Sequence, residues 1–261
     1  MKIGRFILLA LMWPTMVRSQ PSLLIEELTW PEVRAAIASG KTTAIYLAGS
    51  VEESGPHMVL GKHNILARYE ALAIARELGN ALVYPVMPFA PTGDPIKKDD
   101  LMEFPGSISI ADKTFGLVAR DVALSAISAG FKNVVLMGEH GGGQDALKEI
   151  AASLDARWSS KGIHVYYVGY KEVDRQIAEY CKANGLVVGE HAGVPDTSRL
   201  LFIDTQGMWV RRDKMAPGGE WSKTGVDGDP TQASAELGER FMAMCVQGWS
   251  KEIRRLIDKG K

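Results

Sequence analysis

The apolar positions of this chain recur with two alternating periods, and each change of period marks a change of element. Thr29-Trp30-Pro31-Glu32 has the form of a capping box, so a helix opens there and closes at Gly40. A buried strand follows over 42–48. Residues 64–78 read as a helix stopped by Gly79, and 81–86 as a second buried strand. Beyond a long loop come a helix from Asp112 or Lys113 to 129, a strand over 133–137, a helix over 145–159 and a strand over 163–168. Near the end, Leu237, Phe241, Cys245, Trp249, Ile253 and Ile257 stand four residues apart and mark one face of a last helix. Strand and helix in turn imply an α/β fold, three-layer α/β/α, with a mostly parallel central sheet covered on both faces.

The first residues follow a different pattern. Lys2 and Arg5 precede an apolar run over 6–17 that ends at Val17-Arg18-Ser19, the anatomy of a signal peptide. Residues 1–19 are therefore expected to be removed, leaving 20–261 as a single domain that is exported, periplasmic or secreted. An uncleaved anchor is the alternative. The run is short for a membrane span, and no later stretch reaches the roughly 18–20 apolar residues that one needs, so no stable span is expected after processing.

With 46% apolar residues the chain can bury a full core. The formal net charge is −1 and no basic run occurs, which excludes the electrostatic footprint of a nucleic-acid or anionic-membrane binder. A small-molecule substrate is the partner this leaves. Cys181 and Cys245 are the only cysteines, too few for a disulfide framework.

Chemistry concentrates in three clusters at element boundaries. The first is Gly49-Ser50-Val51-Glu52-Glu53-Ser54-Gly55-Pro56-His57, continuing to His63, between a strand and a helix; its carboxylates and imidazoles suit a divalent metal. The second, Gly138-Glu139-His140-Gly141-Gly142-Gly143, leaves a strand where glycines let a ligand approach the backbone. It lacks the lysine and serine of a P-loop and the full spacing of a dinucleotide fingerprint. The third is Gly189-Glu190-His191-Ala192-Gly193 followed by Asp196-Thr197-Ser198, which could also be a helix cap. His164 sits inside an apolar strand and reads as a packed histidine. The loop over 87–110, with Pro88, Pro91, Pro95 and Pro105, is long enough to be functional, as a lid, or to be a solvated excursion.

The order and content of these clusters resemble the creatininase (creatinine amidohydrolase) family over roughly residues 28–198. Leu28-Thr29-Trp30-Pro31-Glu32 is similar to the family's opening helix. Gly49-Ser50-Val51-Glu52 with Gly55-Pro56-His57 is similar to its GSxExHGPH, and Phe104-Pro105-Gly106-Ser107-Ile108-Ser109 to its FPGTIS. Gly138-Glu139-His140-Gly141-Gly142 is similar to NGHGG, and His191-Ala192-Gly193 with Asp196-Thr197-Ser198 to HAGxxETS.

The resemblance implies a metal-dependent hydrolase of C–N bonds in small cyclic or formyl amides, with the α/β/α fold, commonly two divalent ions, and a homo-oligomer that is often a hexamer. Glu52 and His140 match family ligands. Ser54 replaces a family histidine, His63 replaces a family aspartate, and Asp196 stands where many members have glutamate. A neutral imidazole cannot bridge two ions as a carboxylate can, so Glu52, His63, His140 and Asp196 are expected to hold one ion, zinc or manganese. His191 is the expected proton shuttle, with Glu190 to orient it or simply a surface acid. Glu53, Ser54 and His57 are expected to support the ligands or touch substrate. A lactonase or other metal hydrolase, and a non-catalytic small-molecule or metal-binding protein, remain alternative readings.

Overall fold

A computed structural model describes residues 22–260, so the expected signal peptide lies outside the described residues. Four strands, β1 (Thr43–Ala48), β2 (Ala81–Val83), β3 (Asn133–Gly138) and β4 (His164–Val168), form one parallel sheet in the order β2-β1-β3-β4. Around it lie α1 (Trp30–Ala38), α2 (Lys62–Leu78), α3 (Asp112–Ala129), α4 (Gln144–Trp158), α5 (Lys171–Ala183), α6 (Val194–Ile203), the single turn α7 (Trp221–Thr224) and α8 (Ala235–Lys259).

Alternation along the strands sorts the side chains into two helical layers. Ile45 and Leu47 of β1 pack with Val135 and Met137 of β3 against α2, α5 and α8. Ala44, Tyr46 and Ala48 turn the other way and meet α3 and α4 with Val134 and Leu136. All six residues of β1 are buried, as a strand covered on both faces requires. The fold is thus the expected three-layer α/β/α arrangement. The i+4 stripe of α8 faces inward, with Phe241, Cys245, Trp249 and Ile253 buried. Truncating such a core side chain as Phe241 to alanine costs about 3–5 kcal/mol. Cys181 and Cys245 are both buried free thiols.

Local chemistry sets the boundaries. At α1 the Thr29 N–H donates to the Glu32 carboxylate at 2.7 Å, completing the expected cap. Gly79 ends α2 in the left-handed conformation, φ 77°. β2 stops at Val83, shorter than expected, two residues before Pro85. The chain still follows β1, through the Tyr84 N–H on the Ile45 carbonyl and the Gly49 N–H on that of Met87. Among the described residues no helix is long and apolar enough to cross a membrane.

The strand order places the site. The chain moves from β1 to β2 on one side and then to β3 on the other, so the order reverses between β1 and β3. A crevice opens there beyond their carboxyl ends, the usual binding position in open parallel sheets. The first cluster leaves β1 at Gly49 and the second leaves β3 at Glu139, whose N–H donates to the Ala48 carbonyl at 2.9 Å.

Candidate metal centre

Three of the expected donors meet in this crevice. Atoms of Glu52, His63 and His140 lie within 4.8 Å of one another, and all three residues are buried. His63 Nε2 is 2.7 Å from Glu52 Oε1, and His140 Nε2 is 2.5 Å from Glu52 Oε2. Glu52 comes from the loop after β1, His63 from the first turn of α2 and His140 from the loop after β3.

Each donor is held from behind. The Ser50 hydroxyl donates to Glu52 Oε2 at 2.9 Å. Glu139 takes His63 Nδ1, which aims Nε2 at Glu52. The Gly142 N–H donates to His140 Nδ1 at 3.0 Å, and the Gln144 amide holds the His140 carbonyl at 2.5 Å while Tyr167 donates to Gln144 Oε1 at 2.8 Å. Gly142 cannot be replaced, because a methyl there would collide with the Pro91 carbonyl of the long loop.

The charges explain themselves. Burial would push the Glu52 carboxyl up, but the rings of His63 and His140 outweigh it and hold it well below the usual carboxylate range. For His63 burial opposes the charged form, yet Glu139 and Glu52 raise it to about 9. Two imidazoles and a carboxylate with oriented rings are the donor set of a catalytic zinc site, so these residues fit one divalent ion.

Asp196 is not among them. The helix it was expected to precede begins two residues earlier, at Val194, with Pro195 in the first turn, so Asp196 lies inside that turn and faces cations instead. Its carboxylate accepts from Lys62 Nζ at 2.7 Å, from Arg199 at 3.1 Å and from the Ala192 N–H at 3.0 Å. Burial disfavours its charge, but Lys62 and Arg199 hold its pKa far below the usual range.

Lys62, Glu139, Arg199 and Glu70 complete a buried network that the sequence reading passed over. Arg199 contacts Glu70, Glu139 and Asp196, each at 3.1 Å. Burial pushes the Glu70 carboxyl up to about 8 despite Arg199. The signal was present: Lys62 and Glu139 each adjoin a quoted histidine, and Arg199 directly precedes the apolar run over 200–203.

His191 stands beside the trio. Its Nδ1 is 4.0 Å from Glu52 Oε1, and its Nε2 is 3.0 Å from the Glu53 carbonyl and 3.2 Å from the Glu53 carboxylate. Glu53, not Glu190, is the carboxylate in contact with it; the Glu190 side chain is exposed at the cavity rim. Trp221 meets the His191 ring edge to face at 5.5 Å. The loop carrying Trp221 is pinned where the Asp227 N–H donates to the His191 carbonyl at 2.9 Å, and a side chain at Gly189 would strike the Asp227 carbonyl.

His57 lies deeper, its Nε2 2.9 Å from the Thr197 hydroxyl; burial, and then Lys62, lower its pKa to about 4. Ser54 is buried beside it in sequence and takes no part in the trio. His164 is outside the site, 3.1 Å from Asp155 and stacked on Tyr166.

A cavity of about 600 Å³ opens over the trio, walled by Pro91, Thr92, Asp100 and Leu101 of the long loop and by Trp221. The long loop is thus a wall of the site. Trp209 lines a separate apolar groove with Ile65, Tyr69 and Phe202.

The three-layer α/β/α fold and the carboxylate–imidazole centre at its switch point are those of a metal-dependent hydrolase of the class the family match defines. Within that class the chain belongs to the creatininase family, whose model, described as creatinine amidohydrolase, matches residues 26–253. A mycofactocin precursor peptide peptidase of Mycolicibacterium smegmatis is 27% identical over 227 residues, 79% of this chain and 82% of that protein. The creatinine amidohydrolase of Pseudomonas putida is 25% identical over 253 residues, 89% and 96% of the two chains. Among solved structures, a manganese creatininase superposes with a TM-score of 0.77 at 23% identity, covering 90% of this chain and 99% of its own. A mutant creatininase of Zn-Zn type gives 0.76 at 24%, covering 91% and 99%.

Proposed function

We propose that this chain hydrolyses a C–N bond of a small cyclic or formyl amide, using one divalent ion, zinc or manganese, at Glu52, His63 and His140. The observation that carries the reading is the convergence of those three buried donors beneath a cavity large enough for a small molecule. When bound, a divalent ion there polarises a carbonyl and lowers the pKa of water from about 15.7 toward about 7.

The chain supplies the proton transfers. His191 Nε2–H donates to the Glu53 carbonyl, which leaves the Nδ1 lone pair on the side of Glu52 and the cavity. Nδ1 is then placed to take a proton from attacking water and return it to the leaving nitrogen. Trp221 and the 87–110 loop narrow the cavity and limit water around the reacting atoms.

Residues 1–19 are proposed to direct export, and residues 20–261 to act as one domain in a homo-oligomer. The relative named a peptidase puts peptide C–N bonds beside lactams in the substrate panel. A lactonase would use the same centre on an ester. The test is hydrolysis of lactams, formamides, short peptides and lactones by protein loaded with Zn²⁺ or Mn²⁺. Amide hydrolysis that a chelator abolishes is expected; no hydrolysis with either ion sinks the proposal.

A further inference from the structure

Lys62 is completely buried, yet it ends at the cavity that the three metal donors line. Its ammonium has one hydrogen-bonding partner among the described residues, Asp196 Oδ2 at 2.7 Å. An isolated lysine would not persist in such a place, and a buried ion pair adds little stability over apolar packing of the same volume. The pair calls for a reason other than stability, and its position suggests one.

Of the seven acids that line the cavity, Asp100, Asp112, Asp174 and Glu190 are exposed, and Glu52, Glu139 and Asp196 are not. Glu52 faces His63 and His140 and belongs to the trio. Glu139 is occupied by His63 and by Arg199. Asp196 is the carboxylate left for a second ion, and its oxygens are taken by Lys62, Arg199 and the Ala192 N–H. Of these three, Lys62 alone reaches Asp196 from α2, next in sequence to the metal donor His63. Two built-in cations, Lys62 and Arg199, already answer Glu139 and Asp196, so a second divalent ion at Asp196 would have to displace an ammonium held 2.7 Å from its carboxylate.

We propose that Lys62 fixes the metal number: its ammonium holds the place of a second cation, closes Asp196 to ligation and makes this a one-ion centre. The proposal rests on the metal-binding reading above and deepens it. It makes Lys62 a specificity-determining residue for the ion complement, with no part in binding the first ion.

The test is the number of ions per chain in full-length protein held at equilibrium with excess free Zn²⁺, read by equilibrium dialysis with elemental analysis and by native mass spectrometry. One ion in the wild type and two in Lys62→Met is the expected result. Lys62→Gln, which keeps a hydrogen-bond donor for Asp196 but loses the charge, gives the same increase and serves if the methionine variant does not fold. Two ions in the wild type overturn the proposal whatever the variants do. One ion in both wild type and a folded variant also overturns it while leaving the metal reading intact. No ion in the wild type removes both.

Discussion

Glu139 grips His63 at Nδ1, on the side of the ring away from Glu52. A metal-ligating histidine needs such a partner to fix its ring and keep the other nitrogen presented. Glu139→Gln removes the charge and keeps the shape. Affinity for Zn²⁺ is expected to fall about 10- to 100-fold, as measured by competition with a chromogenic chelator. Unchanged affinity would mean that Glu139 serves Arg199 alone.

Loss of the ligand itself has a larger effect than loss of its support. His63→Ala leaves Glu52 and His140, too few donors to retain an ion through dialysis. Elemental analysis is expected to find one ion per chain in the parent and none in the variant. A stoichiometry that the substitution does not change would place the centre elsewhere.

Ion binding must displace protons. The Gly142 N–H on His140 Nδ1 leaves that ring's proton on Nε2, facing Glu52, and His63 carries a proton at neutral pH because Glu139 and Glu52 raise it to about 9. Both Nε2 atoms must be free of protons to ligate. Calorimetry of Zn²⁺ binding at pH 7 in buffers of different ionisation enthalpy should therefore report release of at least about one proton per ion. Heats independent of buffer would contradict the donor assignment.

His191 Nε2 lies 3.2 Å from the Glu53 carboxylate, and Glu190 stands apart from both; the proposed mechanism gives the proton transfers to His191. In an active preparation His191→Gln is expected to lower kcat by about 10²- to 10⁴-fold with metal content unchanged. Glu53→Gln should lower kcat less, and Glu190→Gln should leave it within about twofold. An effect of Glu190→Gln equal to that of His191→Gln would restore Glu190 as the orienting acid.

The sequence made much of this legible for physical reasons. A strand buried on both faces must be apolar throughout, so β1 and β3 stand out, and capping residues mark α1 and α2. Glu52 and His140 are visible because strand ends in parallel sheets collect chemistry. Asp196 is harder: carboxylates for metals and carboxylates for buried cations look alike in a sequence, and only the fold brings Lys62, 134 residues away, against it. The role of Glu53 is hidden likewise, since its carboxylate and carbonyl meet His191 across 138 residues.

His57 gives the clearest pH dependence. Its ring is fully buried, Nε2 meets the Thr197 hydroxyl, and Nδ1 has no hydrogen-bonding partner among the described residues. Burial, with Lys62 adding to it, lowers its pKa from 6.5 to about 4. Between those values the unfolded chain binds a proton at this position and the folded chain does not, so folding stability rises with pH across the window. The contribution is complete above pH 6.5, is lost as pH falls toward 4, and amounts to about 3 kcal/mol over the whole window. His57→Gln keeps an amide donor for Thr197 and removes the titration. Urea unfolding of chelator-treated protein at pH 7 and pH 4.5 should show the wild type losing about 2 kcal/mol more than the variant across that interval. Equal losses would mean that His57 titrates in the folded chain as it does in the unfolded one, and that its burial does not keep it neutral.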